Sequence, residues 1–171
     1  HSWHVHGAER ATDIAVGIQL QNDNIFNGLY NSRERQRLSV TREDHVVEGS
    51  AGLFIEASTR WNNLLRTTAG VRSDHYRFKV RSDLAANSGS ARAHLASPSL
   101  SVALGPRAGT ELYFNMGAGF HSNDARGTTA AIDPASGNPV ERSPGLVRSR
   151  GIEAGLRSEP AKGLQTTLAV Y

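Results

Sequence analysis

Cysteine is absent from the 171-residue chain, which excludes disulfide scaffolds and metal sites built from thiolates. No apolar run approaches the roughly 18 residues that indicate a transmembrane helix. Lysine is nearly missing, because only Lys79 and Lys162 occur among 19 basic residues. The net charge of +3 is small and the sequence contains no basic run, so nucleic acid is not indicated as a partner. Apolar residues, at 38%, are scarce for a soluble core.

The sequence instead alternates apolar and polar residues with a period of two, which is typical of β-strands. From Val47 to Ala57 the odd positions are apolar or small, and the even positions are mostly polar. A shorter strand is predicted over Ser2–Gly7. The same alternation recurs in six other segments: Ile14–Leu20, Leu65–Asp74, Leu100–Leu104, Leu112–His121, Ile152–Leu156 and Leu164–Val170. The chain is therefore predicted to be all-β, with about eight strands and no convincing helix.

The connections between these strands alternate in length. Short turns are predicted at residues 8–11, 61–63, 105–109 and 160–163, and long polar segments at 22–44, 81–92 and 122–145. Tight turns at one end and long loops at the other are typical of an antiparallel up-and-down transmembrane β-barrel. Several strands also reach the roughly 9–11 residues that a tilted strand needs to cross a bilayer.

Charge placement favours the same architecture, because the charged residues fall on the polar face, which would line a wet lumen. They are Glu48, Glu56, Arg66, Arg72, Asp74, Glu111, Glu153 and Arg157. With the turn centred on Asn62, an ion pair between Glu56 and Arg66 is predicted in the lumen. Trp61, Tyr76 and Phe78 are predicted to lie in the aromatic girdles at the two membrane interfaces.

Three residues depart from this pattern. Pro98 falls inside a strand, where it lacks a ladder donor, so the strand begins after it or contains a bulge. Arg148 and Arg150 share the parity of Ile152, which faces lipid. They are acceptable if their strand extends above the membrane at its start.

Two further sets of residues leave alternatives open. The polar-face glycines either let another domain approach the wall or relieve strain at bends; they are Gly17, Gly52, Gly70, Gly117, Gly119 and Gly155. The arginines of the first long segment either attract an anionic ligand or lipopolysaccharide phosphate, or are a solvated extension of the wall, which is slightly preferred; they are Arg33, Arg35, Arg37 and Arg42.

Sequence motifs point to a family. Residues 117–127 read Gly-Ala-Gly-Phe-His-Ser-Asn-Asp-Ala-Arg-Gly, where a strand enters a long loop. Upstream stand Asn-Gly-Leu-Tyr at 27–30 and Arg-Gln-Arg-Leu at 35–38, and downstream stands Pro-Gly-Leu-Val-Arg-Ser-Arg-Gly-Ile-Glu at 144–153. Together these segments resemble the barrel region of proteobacterial TonB-dependent outer-membrane receptors.

The resemblance implies a barrel of about 22 strands with an N-terminal plug, of which residues 1–171 would supply about eight strands. The plug and the TonB box have no counterpart in this sequence. The family's activity is import, so the resemblance implies a transporter and not an enzyme, without a cofactor, in the outer membrane of a Gram-negative bacterium. Its partners would be the TonB complex acting through the plug, a scarce solute such as a ferric siderophore, cobalamin or a carbohydrate, and outer-membrane lipid and lipopolysaccharide.

The candidate solute-binding residues lie where strands leave the membrane at the outer end. They are His121, Asn123, Asp124, Arg126, Arg148 and Arg150. Binding residues favour loops on rigid scaffolds. Alternatively, Asn123 and Asp124 only cap the loop, because such side chains bond nearby backbone in turns.

No catalytic or metal site is predicted. His121 and Ser122 are adjacent, so in a strand they point to opposite faces and cannot form a nucleophile–base pair. His4 and His6 share a face and could chelate a metal, but no third ligand accompanies them.

Two other readings remain open. A complete eight-stranded outer-membrane barrel with a structural or adhesive role would have to pair its first and last strands, and Ser2–Gly7 is a short partner for Leu164–Tyr171. A soluble β-sandwich or lectin-like binder would need a second apolar sheet to cover the first. Both ends of the sequence look like cuts, so we expect a segment of a longer protein that aggregates or needs detergent when isolated.

Overall fold

The computed structural model describes residues 1–6 and 10–171. The turn predicted at 8–11 lies mostly outside the described residues. The eight strands are β1 (Ser2–His6), β2 (Ala11–Arg33), β3 (Gln36–Arg60), β4 (Leu65–Ser82), β5 (Gly89–Arg107), β6 (Thr110–Ser122), β7 (Leu146–Ala161) and β8 (Leu164–Val170). Two short helical pieces complete the structure: a 3-10 turn at Ala85–Asn87 and a helix, α1, at Ala125–Thr129.

Every strand pairs antiparallel with the next one, in the order β1 to β8 in one sheet. This confirms the all-β, up-and-down architecture. The end of the sheet with connections at 61–64, 108–109 and 162–163 is called the turn end below, and the end with connections at 34–35, 83–88 and 123–145 the loop end. In the described residues β1 and β8 form opposite edges of the sheet, so the pairing that a closed eight-stranded barrel needs is not formed.

The first long segment is not a loop, so that prediction was wrong, whereas the preferred interpretation of its arginines as part of a solvated extension of the wall agrees with the structure at Arg33, Arg35 and Arg37. Residues 22–33 and 36–44 continue β2 and β3 as a paired hairpin. Its tip is Glu34–Arg35, both with positive φ (49° and 66°), the geometry of a two-residue turn that matches strand twist. An antiparallel ladder satisfies its own backbone hydrogen bonds, so a hairpin surrounded by water needs no apolar face, and this segment lacks the apolar alternation by which the other strands were predicted.

One face of the sheet, called outward here, presents an apolar band to its surroundings. Large apolar side chains that remain exposed there include Ile18, Leu20, Leu53, Ile55, Val71, Leu104, Leu112, Met116, Ile152 and Leu168. A soluble monomer rarely exposes so extensive an apolar patch. The described residues contain no second sheet to cover it, so the β-sandwich reading is not supported.

The opposite face, called inner here, carries a small apolar core at the loop end. Phe78 is fully buried and packs with Val46, Val80 and Ala125, the last of which lies in α1. Tyr76 stacks on Phe78 with ring centroids 5.9 Å apart. Tyr76 and Phe78 therefore face the interior, and their assignment to an aromatic girdle was wrong. Residues separated by an even number of positions on a strand point to the same face. Tyr76 and Phe78 are therefore on the same face as Arg72 and Asp74.

The predicted ion pair between Glu56 and Arg66 is also wrong. Arg60 pairs with Arg66, so the turn is centred one residue later than assumed and Glu56 faces Gly70. A shift of one residue in the turn centre moves the cross-strand partner by two. Arg66 instead forms an ion pair with Glu111, reaching across β5.

Pro98 lies within β5, opposite Val71 of β4. The ladder between β5 and β6 ends at Ser99, one residue away, and residues 89–98 pair only with β4. The proline nitrogen has no hydrogen to donate, so Pro98 suits the point where a ladder stops.

Candidate functional site

The loop of residues 123–145, called the cap loop here, folds over the inner face at the loop end. Its base is closed by Asn123, whose backbone N–H donates to the Gly145 carbonyl (3.0 Å) and whose side chain donates to the Pro144 carbonyl (2.8 Å). Asp124 caps α1 by accepting from the Arg126 backbone N–H at 2.9 Å. Helix α1 then contacts β3, β4 and β5. The cap loop is thus an ordered lid on this part of the wall.

A buried amide joins the cap loop to the neighbouring outer loop. The side chain of Asn87, which is fully buried, donates to the Ile132 carbonyl at 3.0 Å. Its oxygen accepts from the backbone N–H groups of Ala131 (2.8 Å) and Ile132 (3.0 Å). The Thr129 hydroxyl donates to the Asn87 carbonyl at 2.8 Å. One residue therefore fixes the position of the cap loop against the 83–88 loop.

We expect Asn87→Ala to loosen the cap loop, because it leaves three partly buried backbone groups of Ala131 and Ile132 without partners. Unsatisfied buried polar groups cost about 1–3 kcal/mol, a roughly 5- to 150-fold increase in local opening. Hydrogen exchange of the 125–132 amides in the full-length protein measures this. The matched control is Asn138→Ala in the same loop, whose exposed side chain makes no hydrogen bond with the described residues. Equal exchange in both variants would contradict the role of Asn87.

A cluster of charged side chains lies beneath the cap loop. Asp44, whose side chain is completely buried, contacts Arg42 (Nε to Oδ2, 2.5 Å). Arg126 approaches the same carboxylate oxygen at 3.9 Å and also pairs with Asp124. Arg42 is itself only 14% exposed. Two arginines and two aspartates thus balance one another, with Asp44 at the centre.

The pH dependence of the cap loop follows from two carboxylates. Hydrogen bonds from the Arg126 side chain hold the pKa of Asp124 below its ordinary value, and the Ser136 backbone N–H does the same for the pKa of Asp133. A carboxylate whose pKa is lower in the folded state than in the unfolded state stabilises the fold at neutral pH. This stabilisation is lost as the pH falls through the folded-state pKa. We expect protection of the 125–138 amides to be constant from about pH 7 to 5 and to fall below about pH 4. An Asp124→Asn, Asp133→Asn variant keeps the caps and should remove this dependence; an unchanged acid transition in it would contradict the assignment.

Below the cap loop, the inner face carries a ladder of paired charges. The Arg72 guanidinium donates from Nε to both Asp74 oxygens (2.9 and 2.8 Å) and from Nη1 to Gln19 at 3.2 Å. Towards the turn end, Glu111 pairs with Arg66 and lies 3.6 Å from Arg157. These arginines are therefore held by carboxylates within the wall, while Glu48, Glu56 and Glu153 of the same face form no ion pair in the described residues.

Several inner-face glycines make room for large side chains of neighbouring strands. A Cβ atom at Gly17 would overlap the ring of Phe54, and one at Gly52 would overlap the guanidinium of Arg72. Gly155 lies in the same way beneath Tyr113. At these positions the absence of a Cβ atom makes room for a side chain of the wall itself.

The structure brings some of the predicted site residues together and separates others. Asn123, Asp124 and Arg126 lie at the base of the cap loop, and His121 is exposed at the end of β6 nearby. Asn123 and Asp124 make the loop-capping hydrogen bonds described above. Arg148 and Arg150 pair in register with Phe120 and Ala118 and line an outward groove with Ile152. They are therefore on the other face of the sheet.

Asp44 and Asn87 were not singled out as site residues. Asp44 stood at the edge of a segment read as loop, and Asn87 stood inside another. No local pattern indicates either one. Asn87 is defined by contacts with residues more than 40 positions away, and Asp44 by its burial and its approach to Arg126, although its partner Arg42 is only two positions away. Only the tertiary structure reveals them.

Two features are absent from the described residues. None of their helices is long and apolar enough to cross a membrane. No cluster of three or more potential metal ligands occurs in the same part of the chain.

Comparison with known proteins agrees with this geometry. The sequence matches the family described as TonB dependent receptor-like, beta-barrel, over residues 2–171. No curated protein sequence matches the chain. Among solved structures, the fold is similar to that of the ferric citrate transporter FecA in its unliganded form, with a TM-score of 0.70 and 17% identity. The match covers 92% of this chain and 23% of that one, so the chain spans less than a quarter of that transporter's length. At this identity the likeness concerns the fold alone.

Proposed function

Because the chain belongs to the TonB-dependent receptor-like β-barrel family, we propose that it forms part of the wall of an outer-membrane transporter that imports a scarce solute such as a ferric siderophore. The observation that carries the proposal is the division of the sheet into two faces. The outward face is an apolar band without a covering layer, and the inner face carries paired charges and an ordered cap loop. A wall between lipid and a wet lumen requires this division.

In the proposed mechanism the wall is the static partner. A solute bound at the outer end is released inward when the TonB complex, driven by the inner-membrane proton gradient, pulls on a plug domain that lies outside this segment. The paired charges of the inner face suit this role, because a side chain already held by an ion pair offers little competing attraction to a moving domain or a passing solute.

The solute-facing candidates are the inner-face residues of the loop end. His121 is the most accessible, and Asn123, Asp124 and Arg126 shape the cap loop beside it. Arg148 and Arg150 leave this group, because their side chains share the outward face with Ile152. Beneath the cap loop Arg42 and Arg126 contact Asp44 and Asp124, and Asp23 and Glu48 lie opposite each other on the same face without an arginine partner, so the described wall does not favour a strongly anionic solute.

Uptake by living cells tests this function. We compare a strain from which the full-length gene is deleted with its parent, measuring accumulation of labelled ferric siderophores, cobalamin and oligosaccharides. The proposal predicts that the deletion strain loses uptake of at least one of these solutes. The full-length gene should restore that uptake, and a protonophore should abolish it in the parent strain. Equal accumulation of every solute in both strains, or uptake that ignores the protonophore, would contradict it.

A further inference from the structure

The outward face carries a group of basic side chains just beyond the apolar band at the loop end. This basic belt consists of Arg77 and Lys79 on β4, Arg92 on β5, and the histidines His75 and His94 beside them; all five are exposed. Arg77 stands directly opposite Arg92, and His75 directly opposite His94. The two imidazole rings stack with centroids 6.0 Å apart. Like charges directly opposite each other on a sheet are destabilising, so an anion bound between Arg77 and Arg92 would relieve their repulsion.

The belt has no carboxylate of its own. The single acidic residue of β4, Asp74, lies on the inner face, and β5 contains none. Among the described residues, no ion pair includes Arg77, Lys79 or Arg92, whereas five inner-face arginines each have a carboxylate within 4.0 Å; these are Arg42, Arg66, Arg72, Arg126 and Arg157. These five inner-face arginines are therefore neutralised by carboxylates, whereas the belt arginines are free to bind an anion.

A groove leads from the belt into the apolar band. It has a volume of about 580 Å³ and runs between Leu20 on one side and Arg77 and His94 on the other. Gly49 and Ala51 form its floor, and a Cβ atom at Gly49 would meet nothing closer than 3.8 Å. Its basic rim and its apolar continuation fit an amphiphile with an anionic headgroup and an acyl chain.

A second groove on the same face repeats this chemistry. It has a volume of about 510 Å³, and Arg148 and Arg150 stand at its rim above Leu100, Met116 and Ile152. It exists because the β5–β6 ladder stops at Ser99. Arg148 and Arg150 also lack a carboxylate within 4.0 Å in the described part of the chain. Basic residues above apolar ones, repeated in two grooves, indicate a surface that recognises lipid.

We infer that the basic belt binds the phosphate groups of lipopolysaccharide in the outer leaflet, with an acyl chain in the groove over Gly49 and Ala51. The guanidinium forks of Arg77 and Arg92 suit phosphate because they donate two parallel hydrogen bonds to it. The loop end is the outer end in the proposed function, on which this orientation rests, and lipopolysaccharide is the phosphate-bearing lipid of that leaflet.

Binding of purified lipopolysaccharide to the full-length protein in detergent tests this inference. Arg77→Gln with Arg92→Gln removes the forks, and Gly49→Leu fills the groove at a position with free space. We expect each to weaken binding at least about tenfold. The control is Arg107→Gln with Arg142→Gln, which removes the same charge from exposed positions away from the belt and should bind like the parent. Native mass spectrometry counts the lipids that each variant retains.

Unchanged binding in both the belt and the groove variants would overturn the inference, and so would an equal loss in the control, which would indicate attraction to net charge alone. Vesicles of phosphatidylethanolamine containing either lipopolysaccharide or phosphatidylglycerol decide the occupant; equal affinity for both would overturn the assignment to lipopolysaccharide. The proposed function is tested separately, by solute uptake. The belt variant should take up solute as the parent does. Absence of uptake in the parent strain would contradict the proposed transport and would say nothing about lipid binding by the belt.

Discussion

Replacing Ile55 with arginine is expected to lower the free energy of unfolding of the full-length protein in a bilayer by about 2–4 kcal/mol, because that is the cost of arginine near the midplane on a lipid-facing strand. Ile55 is 49% exposed and pairs with Val16 and Val71, at the centre of the apolar band. In a soluble protein the same exposed substitution would be almost neutral. The urea dependence of unfolding in phospholipid vesicles measures the difference.

The adjacent residue provides the control for this prediction. Glu56 is exposed on the inner face, and Glu56→Arg should change the stability by less than about 1 kcal/mol if that face meets water. Equal effects at positions 55 and 56 would contradict the assignment of the two faces.

Removing the buried carboxylate beneath the cap loop is expected to have the second large effect. Asp44→Ala leaves Arg42 buried without its partner and removes a contact of Arg126. Breaking a buried ion pair by deleting one side costs about 3–5 kcal/mol, since the other charge stays uncompensated. Hydrogen exchange of the 125–130 amides should report this as greatly increased opening of the cap loop.

Two further variants isolate the cause. Asp13→Ala removes a carboxylate whose side chain is 63% exposed and should leave the cap loop unchanged. The double variant Arg42→Met, Asp44→Leu removes both charges and should recover most of the lost stability, because an apolar pair of similar size replaces a buried ion pair at little cost. A double variant as unstable as Asp44→Ala would contradict the explanation by an uncompensated charge.

The alternation of residues was sufficient to predict that eight strands exist and which residues of the alternating stretches share a face, but it did not predict the full length of the strands. The outward positions of β3, from Val47 to Ala57, are those that the period of two indicates, and the family resemblance was confirmed over almost the whole chain. Such predictions succeed because a lipid face on one side and a lumen on the other impose the same constraint on every strand.

The predictions that failed concern residues whose location depends on their even or odd position in a strand, or on contacts with residues far away in the sequence. Phe78 was placed by its closeness to a strand end, although its even number assigns it to the inner face, where α1 packs on it. Arg66 was paired within its hairpin, whereas its carboxylate comes from β6. The hairpin extension of residues 22–44 was read as a loop because strands outside a membrane lose the apolar alternation that identified the others.

The central claim is that the outward face meets lipid while the inner face meets a wet lumen. The segment contains no cysteine, so single cysteines at positions 52 to 57 can carry spin labels in the full-length protein, on an otherwise cysteine-free background, reconstituted in vesicles. We predict that collision with oxygen, which concentrates in lipid, is greatest at the odd positions, and that collision with a water-soluble nickel chelate is greatest at the even ones. Equal exposure to the aqueous reagent at all six positions would contradict the account.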